Sequence, residues 1–367
     1  MNETEAIARR LLDWREGSTG PTTLEIQPTM ACNLRCVFCE EATRRGPAPD
    51  ELPTERWLTL LDEAAALGLS RVFVLGGGEP MAAPAKCLAI LRRAKALGLE
   101  GILGTNGTLF TEATIRELVE IGWDEIHFSV DGPTADIHDA LRGTPGAFKR
   151  TIQSLCRFQG LKARLGLERP RLVMHFVVTN TNAHTLGDML RLASGLGVRR
   201  VDFDALVTWT DTQRRLALDG AGRALLQEEA RRAEVLALEL GIESSVGHLR
   251  AAETLRRGER KLPEGLPLLP VVGRAPCLKA WHDLVVQPDG RSSPCCVLAG
   301  IGASVRHASL AEVWFRGASL REIRASMREG KPLARCVECS TNILAHEEAI
   351  RAAMGAARAA GGDRLWP

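Results

Sequence analysis

The chain has 367 residues, 45% hydrophobic and 25% charged, with a net charge of +2. That composition suits a globular protein with a full core, either one large domain plus a smaller one or two ordinary domains, and it gives no bulk attraction for nucleic acid or an acidic membrane. No run approaches the roughly 20 apolar residues of a membrane span, and MNETEAIARRLLDWREG has no apolar signal region, so a cytoplasmic protein with neither nucleic-acid nor membrane partners is expected.

In chain order, a helical arm over 1–22 leads into alternating short β-branched runs and amphipathic helical stretches. The strand candidates are TLEIQPT (23–29), RVFVLG (71–76), GILGTN (101–106), EIHFSV (125–130), RLVMHFVVT (171–179) and RRVDFDAL (199–206). Between them lie helical patterns such as ERWLTLLDEAAALG and AKCLAILRRAKALG, several ending in the glycine that commonly follows a helix C-terminus. Such strand–helix repetition implies a parallel sheet, and periodicity alone leaves a partial barrel and an open doubly wound sheet both open. In either, function gathers beyond the C-terminal ends of the strands.

Residues 211–274 change character: GRALLQEEARRAEVLALELGIE reads as part of two helices without a strand between them, followed by the Pro/Gly-rich linker KLPEGLPLLPVVGRAP. This Arg/Glu-rich insertion is expected to be a solvated helical face, although its position suits a lid. A cysteine-rich unit over 275–345 begins with LVVQPDGRSSPC, a hairpin turning at Asp289-Gly290. The helices SLAEVWF and LREIRASMREG follow, then a C-terminal helix and frayed tail over 346–367.

Ten cysteines are present and tyrosine is absent, which excludes a tyrosyl radical. In a reducing compartment, clustered cysteines indicate metal ligands or catalysts rather than disulfides. Cys32-x3-Cys36-x2-Cys39 directly follows the first strand. Three thiolates there can hold three corners of a cubane and leave the fourth iron open to an amine and carboxylate. A structural zinc site would want a fourth ligand, and no Cys or His lies nearby. Gly76, Gly77 and Gly78 let backbone approach a ligand closely, and Glu79 suits a cationic ammonium. Phosphate fits this loop poorly, because Glu79 would repel it and no Lys-Ser/Thr follows. Farther along, Cys277, Cys295 and the pair Cys336/Cys339 can complete a four-thiolate site on iron or zinc.

The combination resembles the radical S-adenosylmethionine (SAM) superfamily: CxxxCxxC with Phe38 before the last cysteine, Gly76-Gly77-Gly78-Glu79-Pro80 after strand two, Thr105-Asn106 after strand three, and Ser129-Val130-Asp131-Gly132 after strand four, followed by Leu141-Arg142-Gly143. The resemblance implies a partial (β/α)6 TIM-like barrel over 23–210. It implies a [4Fe–4S] cluster on Cys32, Cys36 and Cys39, with Glu79 toward the SAM ammonium. Ser129 and Asp131 would lie near the ribose and methionine moiety, and Arg142 near the SAM carboxylate. The implied chemistry is reductive cleavage of SAM to a 5′-deoxyadenosyl radical that takes a hydrogen atom from substrate.

The C-terminal cysteines are similar to the twitch domain, the shortened SPASM extension, and especially to that of the aminocyclitol dehydrogenase of butirosin biosynthesis. This implies one auxiliary [4Fe–4S] cluster on Cys277, Cys295, Cys336 and Cys339, and a net oxidation, either dehydrogenation or bond formation, of a peptide or sugar/aminocyclitol-type precursor. A reductant such as flavodoxin or ferredoxin would serve it. The 22-residue arm is short for an independent peptide-recognition domain. The rival reading is a non-catalytic iron–sulfur or zinc scaffold retaining the fold.

Six further residues carry smaller expectations. Cys296, adjacent to Cys295 on a strand, should face the opposite side and be buried or spare. Cys87 and Cys156 sit in apolar helical patterns as buried thiols. His127 shares strand parity with Ser129 and Asp131 and reads as a satisfied core histidine. Asp204 and Trp209, at the end of strand six, are candidates for touching adenine or substrate.

Overall fold

A computed structural model describes residues 3–15, 17–39, 48–249, 275–337 and 339–361. Six parallel strands lie side by side in chain order: β1 (Thr23–Ile26), β2 (Arg71–Val74), β3 (Glu100–Thr105), β4 (Glu125–Ser129), β5 (Arg171–Val178) and β6 (Arg200–Ala205). The connections are helical: α2 (Thr54–Ala66), α3 (Pro84–Ala96), α4 (Glu112–Glu120), α5 (Ala135–Arg142) with α6 (Ala147–Leu165), and α7 (Leu186–Gly195). Before them, α1 (Glu3–Leu12) carries Glu3 and Glu5 in its first turn and Arg9 and Arg10 in its last, complementing the helix dipole.

Strand alternation explains what each face does. Leu24, Ile26, Val72, Val74, Leu103, Ile126, Phe128, Met174, Phe176, Val201 and Phe203 are fully buried. The alternate positions carry Glu25, Phe73, His127, His175 and Asp204, all half-buried. The outer face of the sheet is therefore core, and the inner face keeps the polar Glu25, His127, His175 and Asp204, which a core would reject, beside Phe73. This is the expected partial barrel, and it does not close.

The segment after β6 holds two helices with no strand between them, as expected, and adds a strand beyond them. Helices α8 (Asp211–Leu216) and α9 (Gly220–Leu240) are present, started by Thr210 and Asp219 as N-caps, but a strand, β7 (Glu243–Ser244), follows and pairs parallel to β6. Two polar residues at a sheet edge carry no hydrophobic alternation, so sequence pattern cannot reveal them. Helix α9 packs on α7, burying Leu226, Ala230, Ala233 and Ala237, which places it against the outer helical layer and not as a lid. The proposed linker 261–274 lies outside the described residues.

The expected hairpin forms. After α10 (Lys279–His282), β8 (Asp283–Val286) and β9 (Ser292–Ser293) pair antiparallel about a turn in which Gly290 has φ +88°. Strand β8 also pairs parallel to β1, Thr23 opposite Asp283 through Ile26 opposite Val286. A single nine-stranded sheet thus joins the cysteine-rich unit to the barrel. SLAEVWF ends in a π-helical turn, Glu312–Arg316, before α11 (Ala318–Arg328) and α12 (Thr341–Gly361). Helix α12 packs on α1, and Arg324 lies 4.3 Å over the ring of Trp314, itself edge-on to Trp14 at 5.9 Å. The tail beyond Gly361 lies outside the described residues.

Candidate functional site

A cavity of about 400 Å3 opens at the C-terminal ends of the strands. Cys32, Cys36 and Cys39 line it, together with Gly76, Gly77, Gly78, Thr105, Asn106, Ser129 and Arg142. Met30, Leu34, Leu75, Gly104, His127 and His175 complete the wall.

Backbone contacts hold the cysteine loop in place. Arg35 and Val37 N–H donate to the carbonyls of Arg142 and Leu141 at 3.1 and 2.9 Å, so carbonyls at the end of α5 that have no partner within the helix are capped by the loop itself. Gly143 ends that helix with φ +59°, and a Cβ there would stand 2.0 Å from Arg35 O. The glycine loop approaches just as closely. Gly78 and Glu79 N–H donate to Thr29 O and Ala31 O at 2.8 Å each, and a Cβ on Gly78 would lie 2.1 Å from Ala31 O. Asn33 bridges Thr108 and Asn106 at 2.7 and 3.0 Å, tying the cysteine loop to the end of β3.

Four residues expected at the ligand lie behind the cavity wall. Glu79 is 3% exposed. Its Oε1 accepts from Thr105 Oγ1 at 2.6 Å and Met81 N–H at 3.1 Å, and its Oε2 from Asn106 N–H at 2.7 Å. Burial pushes its carboxyl upward, against those hydrogen bonds. Glu79 is thus an internal tie between two loops, and Pro80 is buried beside it. Asp131 is fully buried: it accepts Val177 N–H at 2.9 Å and pairs with Arg142 Nη2 at 2.6 Å, so it supports Arg142 in place of facing a ribose. Phe38 stacks under the Arg142 guanidinium at 5.4 Å. Gln213 of α8 donates to Phe38 O at 3.0 Å, so α8 touches the cysteine loop.

His127 is a cavity residue more than a core one. Its Nε2 meets Glu125 Oε2 at 2.9 Å. Burial alone would raise Glu125, but its hydrogen bonds to His127 and Arg171 hold the carboxyl down at about 2. His175 was not foreseen; it stands opposite Ser129 in the β4–β5 register, and parity with His127 was the available signal.

The donor set fits an iron–sulfur cluster. Three thiols and a glycine cradle that tolerates no Cβ surround one space. Among the described residues no three His, Cys, Asp or Glu side chains stand close enough to clasp a single metal ion.

The four C-terminal cysteines lie near one another. Cys336 is buried in the main core, against which Cys277 and Cys295 pack, and Cys339 is buried in a smaller cluster that Cys295 also touches. Burial pushes Cys295 up to about 12 and Cys277 well above the ordinary thiol range, and neighbouring thiols add to both. Buried thiols that raise one another are deprotonated outright by a bound metal, so this set also fits a cluster. Cys296 departs from expectation: the chain leaves Cys295 in a 3-10 turn, Cys296–Leu298, so strand alternation does not apply. The residue as a whole is exposed, while burial of its sulfur beside Glu25 and Lys279 pushes the thiol well above the ordinary range. Cys87 is buried as expected, whereas Cys156 is exposed. Asp204 accepts from Ser340 Oγ at 2.6 Å and Trp209 packs by Cys339, so both face the second cysteine group.

Comparison with known proteins agrees with this geometry. Residues 26–193 match the radical SAM superfamily, and residues 277–340 match SPASM, an iron–sulfur cluster-binding domain. An AdoMet-dependent heme synthase of Oleidesulfovibrio alaskensis is 29% identical, covering 84% of this chain and 78% of that protein. A PqqA peptide cyclase of Methylocella silvestris is 26% identical, covering 86% and 80% respectively. Among solved structures, Streptococcus suis SuiB bound to S-adenosylmethionine shares the fold with a TM-score of 0.65 at 17% identity, covering 89% of this chain and 72% of that one. Native anSMEcpe with bound AdoMet and Cp18Cys peptide gives 0.59 at 17%, covering 87% and 86%.

Proposed function

We propose, from the premise that this chain belongs to the radical SAM superfamily and carries a SPASM cluster-binding domain, that it performs a net oxidative modification of a peptide. The observation that carries the reading is the convergence of Cys32, Cys36, Cys39 and the Gly76–Gly78 cradle on one cavity. When bound there, a reduced [4Fe–4S] cluster supplies the electron that cleaves SAM into methionine and a 5′-deoxyadenosyl radical.

The chain's own residues do the rest by position. Cys32, Cys36 and Cys39 hold the cluster and leave one iron for SAM. Gly76 to Gly78 bring backbone against the ligand, Ser129 faces it from β4, and Glu79 fixes the loops that shape its seat. Cys277, Cys295, Cys336 and Cys339 would hold an auxiliary [4Fe–4S] cluster, whose chemistry would be to accept an electron from the substrate. His127 and His175 stand on the inner wall where substrate would lie. A scaffold role leaves this cavity without a purpose.

The relatives named as PqqA peptide cyclases favour a peptide over the sugar or aminocyclitol class. Those named as heme synthases support a second reading, in which the substrate is a heme precursor. Flavodoxin or ferredoxin would be the reductant. The test is anaerobic reconstitution with SAM and dithionite: wild type should release 5′-deoxyadenosine and Cys36→Ala should not. A reconstituted wild type that holds its cluster but leaves SAM intact with every candidate substrate would sink the reading.

A further inference from the structure

Arg142 occupies a costly position. It ends α5, where an arginine would normally reach into water and complement the helix dipole. Here it is 8% exposed. Its Nη1 donates to Cys36 Sγ at 3.6 Å and its Nη2 pairs with Asp131 at 2.6 Å. The ring of Phe38 lies beneath it, and Nε finds no acceptor among the described residues. Its own carbonyl accepts Arg35 N–H, so backbone and side chain both fix it against the cysteine loop.

A buried ion pair of this kind is weak evidence for stability, because desolvation offsets most of the attraction. An apolar residue would cap the loop as well. What the guanidinium adds is a charged donor aimed at one cysteine sulfur, and hydrogen bonds to sulfur are among the levers that set a cluster's reduction potential.

We propose that Arg142 tunes the cluster held by Cys32, Cys36 and Cys39, its hydrogen bond to Cys36 Sγ favouring the reduced state, and that buried Asp131 sets how much of the guanidinium's charge the cluster feels. This rests on the functional reading above. Arg142 and Asp131 act in opposite directions. The guanidinium stabilises the extra electron of the reduced cluster, and the carboxylate partly cancels it. Asp131 is held by Val177 N–H of β5, and its carbonyl accepts from Asn182 Nδ2 at 2.9 Å, so the balance is fixed by the barrel and not by the mobile tip of a side chain.

The test is an electron-paramagnetic-resonance redox titration of the reconstituted full chain, following the signal that changes when SAM is added. Arg142→Gln combined with Asp131→Asn removes both charges without stranding either in the interior. Its reduction equilibrium should fall about tenfold, which is about 59 mV for one electron. Asp131→Asn alone should move the midpoint upward. General loosening of the site does not produce shifts of opposite sign. Should the double variant fail to assemble its cluster, Arg142→Lys keeps the charge but loses the fixed fork, and a smaller downward shift is expected. Unchanged midpoints in variants with full iron and sulfide content overturn the proposal alone. A wild type with no SAM-responsive signal overturns the functional reading and this proposal together.

Discussion

At the scale of single residues, the site depends on ties that a motif does not display. Glu79→Gln exchanges a carboxylate oxygen for an amide beside the donors Asn106 N–H and Thr105 Oγ1. Leaving such a buried donor unmatched costs about 1–3 kcal/mol. The expected result is a lower melting temperature even without SAM, read by calorimetry; an unchanged melting temperature with weaker SAM binding would return Glu79 to a ligand-only role. Gly143→Ala should be worse than Gly122→Ala. Both have positive φ, but only at Gly143 does a Cβ meet backbone, Arg35 O at 2.0 Å. The left-handed conformation alone costs about 1–2 kcal/mol, so the extra loss, measured as iron retained after reconstitution, reports the loop contact. The cysteines, the glycines and Ser129 were legible from their spacing after strands. The inward turn of Glu79 and Asp131 was not, because burial is decided by neighbours far away in the chain.

At the scale of elements, the six long strands were readable, since each is a β-branched run bounded by turn residues. β7 was not, being two polar residues. Helix α10 and the start of β8 carry an ion network with a testable pH dependence. His282 pairs with Asp283 at 2.6 Å and Glu347 at 3.3 Å. Burial alone would lower it, but Asp283 and Glu347 outweigh that and raise it to about 9. The folded value lies above the unfolded one, near 6.5. The stabilisation is therefore full below about pH 6.5 and is lost as pH rises through 9. Wild type should lose melting temperature over that window, and His282→Gln should show a flatter profile. Equal slopes in the two would remove His282 from the account.

At the scale of the whole molecule, the pairing of β8 with β1 makes one sheet of two units. No local pattern could announce it, because 260 residues separate Thr23 from Asp283. Its consequence is cooperativity: stripping the iron by chelation should lower a single unfolding transition, and two transitions of which one stays fixed would contradict the shared sheet. The cavity lined by Cys32, Cys36, Cys39, His127 and His175 lies at one end of that sheet. The most direct measurement is Mössbauer spectroscopy of protein reconstituted with 57Fe, with and without SAM. The account predicts two clusters, of which one changes at a single iron when SAM is added; that cluster disappears in Cys32→Ala/Cys36→Ala/Cys39→Ala while the other persists. Two clusters that both ignore SAM, or a SAM-responsive cluster that survives the triple substitution, would contradict it.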